Sequence, residues 1–193
     1  MLTIVLIRPG STDYDSQKRI QGNLDIPLNK EGEEEIAGLV TPLAGMQIDA
    51  VYYADNRSAK ETAEFLAAAL DRKSVQLDRL SNIDLGLWQG MLIDDVKVKQ
   101  PKVYRQWQEH PETVCPPEGE TLSEAHHRVS AAISKIQKKY KDGTVALVAP
   151  EPLASLIRSE LRSCEVGDLW KNNCNKATWE AIEIQPPITV KAS

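Results

Sequence analysis

Leu2-Thr-Ile-Val-Leu-Ile7 runs straight into Arg8-Pro9-Gly10-Ser11-Thr12, and the reading of this stretch decides the fold. The first six residues are an unbroken run rich in Ile, Val and Leu, and a proline and a glycine close it off. A short apolar run of this kind reads as a strand buried on both faces, at the centre of a parallel sheet. It stops too soon for a membrane helix, and it has neither a basic leader nor a small-residue cleavage site. It therefore reads as a core strand rather than a signal peptide. The polar loop that follows leaves the carboxyl end of that strand, where α/β sheets bind their ligands.

Strand and helix signals alternate outward from this point. Residues 11–30 are polar and aperiodic, a long connection of the kind that builds sites. A helix follows from Gly32, with Ile36, Leu39, Val40 and Leu43 on one face behind the acidic run Glu33-Glu34-Glu35. Ala50 to Ala54 reads as a second strand. Ser58, three residues before Glu61, reads as the cap of a helix continued by Ala63, Leu66, Ala67 and Leu70. Val75 to Leu80 reads as a short strand or extended piece, and four prolines between 101 and 118 surround a helix bearing Trp107, as in an insertion over one end of the sheet. A long amphipathic helix spans Thr121 to Tyr140, a strand Thr144 to Ala149, a helix Pro152 to Leu161 and a last strand Thr178 to Ile184. The tail from Pro186 reads as frayed. Strands alternating with helices predict an α/β chain, a three-layer α/β/α sandwich on a mostly parallel central sheet.

The chain has 193 residues, 41% hydrophobic and 26% charged, with a formal net charge of −5. An acidic balance gives no general attraction to polyanions, and the run Lys138-Lys139-Tyr140-Lys141 reads as the wet end of a helix, so nucleic acid and membrane surfaces are not expected partners. Cys115, Cys164 and Cys174 are far apart and without histidines at ligand spacing, so no metal or other cofactor is expected and the compartment is read as cytoplasmic.

Motifs in order carry a resemblance. Ile7 to Thr12 is similar to an Arg-His-Gly-x-Thr opening, and Arg19-Ile-Gln21-Gly22-Asn-Leu-Asp25-Ile-Pro27-Leu28 continues it nearly residue for residue. Glu61-Thr62-Ala63, Gly86-Leu-Trp88-Gln-Gly90, Pro117-Glu-Gly119-Glu120-Thr121 and the strand Val145 to Ala149 follow at matching spacing. The chain resembles the histidine phosphatase superfamily, the phosphoglycerate mutase-like fold, over nearly its whole length, as one domain of residues 1–193. The resemblance implies a histidine nucleophile, two arginines, a second histidine and an acid. On those five positions this chain has Pro9, Arg8, Ser58, Pro150 and Asn82. Proline has no side-chain lone pair and asparagine no proton to give.

The expectation that follows is a catalytically inactive member, a divergent pseudoenzyme with Arg8, Pro9, Ser58, Asn82 and Pro150 as vestigial positions. It would bind an unspecified protein or small molecule, or pair as a homodimer. Arg8, Ser11, Thr12, Asp15, Arg19, Gln21, Ser58 and Glu151 are the expected ligand-binding lining. Arg8 and Arg19 against Asp15 and Glu151 leave this set near neutral, so desolvating a phosphate there is poorly repaid. Arg57 and Asp84 would substitute for the lost groups only after a local slip. Trp88 and Trp107 are candidates for the mouth, Trp88 more naturally for the core. His110, His126 and His127 are expected on the surface or in packing. The alternative is a phosphatase or esterase with a rebuilt, non-histidine site, its nucleophile one of Ser11, Ser58, Asp15 or Cys164.

Overall fold

The computed structural model describes residues 1–77, 80–170 and 176–184; Cys174 and the tail from Pro186 lie outside them. Strand β1 is Leu2–Ile7, and every residue from Ile4 to Ile7 is at most 2% exposed. Its neighbour β4 (Gly143–Val148) is buried from Val145 onward. Strands β2 (Ala50–Tyr53), β3 (Ser74–Gln76) and β5 (Trp179–Ile184) complete a five-stranded sheet in the order β3-β2-β4-β1-β5. All pairings are parallel except β1 with β5. The antiparallel strand takes an edge, where its charged Glu180 and Glu183 discourage further pairing.

Helices cover the sheet because the apolar strands have two faces to bury. Helices α2 (Lys30–Ala44) and α3 (Arg57–Ala69) pack on each other, and α3 also packs on β2, β3 and β4. Helices α6 (Leu122–Lys139) and α7 (Leu153–Arg162) pack on each other, with α7 against β1 and β5. The α/β/α sandwich is the observed architecture. The amphipathic stripe of α6 is the one its period indicates, with Leu122, Ala125, Val129, Ile133 and Ile136 all buried. Its N-terminus is closed by a capping box in which Thr121 and Glu124 satisfy each other's backbone N–H.

Adjacent strands β1 and β4 send their chains to opposite sides of the sheet, towards α2 and towards α7. Such a switch point opens a crevice at the strand ends. Ala149 N donates to Ile7 O at 2.9 Å, so the two loops leave the sheet side by side. The first loop is also pinned by backbone contact with α2. A Cβ on Gly10 would lie 2.4 Å from Gly32 O, and one on Gly32 would lie 2.2 Å from Ser11 O. Only glycines allow these two segments to touch.

Several elements differ from expectation. Ser58, expected to cap α3, is instead carried into its first turn. Asn56 is the cap, accepting from Ala59 N at 3.2 Å. The connection 11–30 holds a short helix, α1 (Asp13–Ser16), capped by Thr12 and Asp15. Helix α4 (Ile93–Lys99), which has too few periodic positions to stand out, precedes α5 (Pro101–Glu109). Trp88 and Trp107, the candidates for the mouth, are each 1% exposed and meet edge-to-face at 5.7 Å between centroids. Both belong to the core. No helix among the described residues is long and apolar enough to cross a membrane.

Candidate active site

A cavity of about 230 Å³ opens at the carboxyl ends of β1 and β4. Arg8, Pro9 and Gly10 enter it from the first loop and Pro150 and Glu151 from the second, while α3 supplies Ser58 and residues 15–21 supply Asp15, Lys18, Arg19 and Gln21. Ile93, Asp94 and Trp170 form the remaining wall.

The inner end is built around charge. Arg8 Nε lies 3.8 Å from Glu151 Oε1, and the Glu151 side chain is 3% exposed. A carboxylate that deep requires partners, and it has them. Ser155 donates from both N and Oγ to Oε2, at 3.1 and 2.7 Å, and Arg158 Nη2 stands 4.0 Å from Oε1. Arg158 and Arg162 in turn hold Glu180 on the edge strand, Arg162 at 2.7 Å. Glu151 is thus fixed by α7, and Arg8 is held beside it.

Asp15 is organised differently. Thr12 N and Oγ1 both donate to Asp15 Oδ2 at 2.7 Å, and Gln21 Nε2 donates to the same oxygen at 2.8 Å. No hydrogen bond from the described residues reaches Oδ1. Arg19 spends Nη1 on Gly90 O at 2.6 Å and Nε on Gln17 Oε1 at 2.8 Å. Ser58 accepts from Asn56 Nδ2 at 3.1 Å and supplies the one hydroxyl in the cavity lining among the described residues.

Other expected site residues are used elsewhere. Ser11 is buried and donates from N and Oγ to Glu35, which also receives Ala177 N at 3.0 Å. Thr12 caps α1 and reaches the cavity only through Asp15 and Gln21. Asn82, 1% exposed, braces two loops: its Nδ2 donates to Gly22 O at 2.7 Å and Glu151 O at 2.9 Å, and its Oδ1 accepts from Ile83 N and Leu153 N. Arg57 points away, pairing with Glu61 at 2.8 Å. Asp84 accepts from Gly86 N. Cys164 is exposed beyond α7. The histidines lie outside the cavity, His126 against Glu160 at 2.7 Å.

Lys18, Ile93, Asp94 and Trp170 complete the lining without being singled out in the sequence. The segments carrying the first three meet through backbone pairing, with Ile93 N donating to Lys18 O at 3.0 Å and Arg19 bridged to Leu92. Trp170 is anchored by Nε1 on Tyr104 O at 3.1 Å and stacks on the Tyr104 ring at 5.1 Å and 13°. Burial raises the Tyr104 phenol above its ordinary pKa, with Asp168 and then Asp94 adding to the effect.

With this geometry in place the comparisons are unambiguous about family. The family model for the histidine phosphatase superfamily, branch 1, matches residues 4–188. The chain belongs to that superfamily. Phosphoserine phosphatase 1 of Hydrogenobacter thermophilus is 26% identical over 185 residues, 96% of this chain and 88% of its own. An uncharacterised phosphatase of Bacillus subtilis is 28% identical over 150 residues, 77% of this chain and 72% of its own. A mycobacterial glucosyl-3-phosphoglycerate phosphatase, solved with vanadate (VO3), superposes with a TM-score of 0.83 at 25% identity, covering 93% of this chain and 91% of that one.

These relatives overturn the expectation of an inactive protein. Proteins named as phosphatases align along almost the whole chain. The expectation rests on the nucleophile, second histidine, arginine and acid positions together, but a carboxylate is also a nucleophile towards phosphorus, so phosphate chemistry does not require a histidine. A phosphatase with a rebuilt site is the reading they favour.

Proposed function

We propose that this chain hydrolyses small phosphate monoesters at the β1–β4 cavity without a histidine, and that Asp15 is the attacking group. The observation that carries this reading is the convergence of Asp15, Arg8 and Ser58 on one cavity at the strand ends. Likeness to phosphatases over the length of the chain supports the substrate class.

The other candidate nucleophiles are less suited. Among the described residues Ser11 and Cys164 do not line the cavity, and none beside Ser58 is a base that could take its proton. A carboxylate needs no proton removed before it attacks. The three donors on Asp15 Oδ2 fix the plane of the group and leave Oδ1 as the reacting oxygen. The Arg8 guanidinium, its direction set by Glu151, offers N–H donors to the charge that spreads over the phosphoryl oxygens in the transition state. The Ser58 hydroxyl is a neutral donor to the same group. Oδ1 bonds to phosphorus as the ester P–O bond breaks, and the departing alkoxide takes a proton from solvent. Water then attacks the phosphorus and gives its proton to solvent. The bond to Asp15 breaks, releasing inorganic phosphate and restoring the carboxylate.

The test is phosphate release from p-nitrophenyl phosphate by the wild-type chain and three variants. Asp15→Asn keeps an acceptor for Thr12 and Gln21 but removes the nucleophile, and is expected to abolish turnover. Arg8→Ala is expected to lower kcat about a hundredfold or more, and Ser58→Ala by less. Full activity in Asp15→Asn, or none in the wild type, overturns the proposal.

A further inference from the structure

The two oxygens of Glu151 meet different partners. Ser155 donates to Oε2 from N and Oγ, while Oε1 has no hydrogen bond with a described residue. Two guanidiniums share Oε1 instead, Arg8 Nε at 3.8 Å and Arg158 Nη2 at 4.0 Å, both beyond hydrogen-bond reach. Of these two, Arg8 lines the cavity and Arg158 does not. The Glu151 side chain is buried, so water and salt screen the three charges only weakly from one another.

Arg158 stands back from Glu151 because its fork is held elsewhere. Its Nε donates to Glu180 Oε1 on β5 and its Nη1 to Ser155 Oγ at 3.4 Å, and Glu180 is shared with Arg162. Helix α7 and the edge strand thus fix a second cation behind the carboxylate. Three cations, Arg8, Arg158 and Arg162, stand against two carboxylates, Glu151 and Glu180, so the cluster is a net cation that ends in the cavity at Arg8. Arg8 and Glu151 alone would sum to zero. A buried carboxylate with a single cation beside it draws that cation into a close, neutralising pair. With Arg158 present Glu151 is already compensated, and Arg8 keeps its charge for an anion.

We infer that Arg158, which never touches the substrate, is a positioning residue for phosphate: it compensates Glu151 so that Arg8 can serve the phosphoryl group. This rests on the phosphatase reading and adds to it the residue that sets phosphate affinity. One charge acting through a weakly screened carboxylate is expected to change that affinity about tenfold.

Calorimetric titration with inorganic phosphate tests this without turnover. Arg158→Gln is expected to weaken phosphate binding about tenfold, and Arg158→Lys, which restores the charge, to bind close to wild type. Placed in a Glu151→Gln chain, Arg158→Gln is expected to cost little, because the carboxylate it compensates is gone. Glu180→Gln is expected to tighten binding, since Arg158 then closes on Glu151 and Arg8 is released further; this variant decides the matter if Arg158→Gln does not fold. An equal loss with and without Glu151, a lysine variant as weak as the glutamine one, or weaker binding in Glu180→Gln overturns the inference. A wild type that binds phosphate but hydrolyses no ester defeats the phosphatase reading alone, and the binding constants still decide the role of Arg158. A wild type that binds no phosphate overturns both.

Discussion

At the scale of single residues, the cavity depends on groups that never touch it as much as on those that line it. Asn82 is buried, and its hydrogen bonds to the described residues are structural, tying residue 22 to the loop of Glu151 and the start of α7. Removing it leaves buried carbonyls and amides unpaired, each worth roughly 1–3 kcal/mol. Asn82→Ala is therefore expected to lose about 3 kcal/mol of stability in denaturant unfolding, with activity falling because Glu151 no longer fixes Arg8. A variant as stable as the wild type would show that the bonds are dispensable. The sequence made Arg8, Ser58 and Pro150 legible because each sits at a fixed offset within a motif. It could not show that Ser11 spends its hydroxyl on Glu35, or that Asn82 spends its amide on Gly22 and Glu151. Those partners are 24, 60 and 69 positions away.

Elements were legible where burial imposed a period. The boundaries of β1 and the inner face of α6 follow directly from their apolar spacing. The start of α3 did not, because Ser58 and Asn56 are both competent caps and two residues decide which is used. Helix α4 has a single buried residue, Val96, too weak a signal to announce a helix, and this is why Asp94 was missing from the expected lining. The cap of α6 gives this scale its prediction. Glu124 is held below the ordinary carboxyl range, chiefly by the Thr121 backbone N–H and then by its hydroxyl. A carboxyl depressed on folding contributes stability above its unfolded pKa and loses it as pH falls through the folded one. Glu124→Gln is accordingly expected to lower the Tm near neutral pH, with the gap to wild type closing as the pH falls below about 4. A gap independent of pH would mean the charge is irrelevant to the cap.

The whole molecule is a sheet whose two central parallel strands leave adjacent loops at a switch point, and Arg8, Pro9, Pro150 and Glu151 meet there. Arg8 and Asp15 come from one side of this crevice, Glu151 from the other, and Trp170 from a distant part of the chain. The α/β class was legible from the alternation of strands and helices, and the family from motifs spread over the whole length. The direction of the function is not, because a count of charges in the lining does not show that Asp15 is held by three donors on Oδ2 or that Arg8 is set beside Glu151. The most direct measurement is a single-turnover reaction with a 32P-labelled monoester, quenched in acid and mapped by peptide. The account predicts label on the peptide containing Asp15, stable to the acid quench and released by hydroxylamine, as an acyl phosphate should be. An acid-labile, alkali-stable label on a histidine peptide, or phosphate released with Asp15 never labelled, would contradict it.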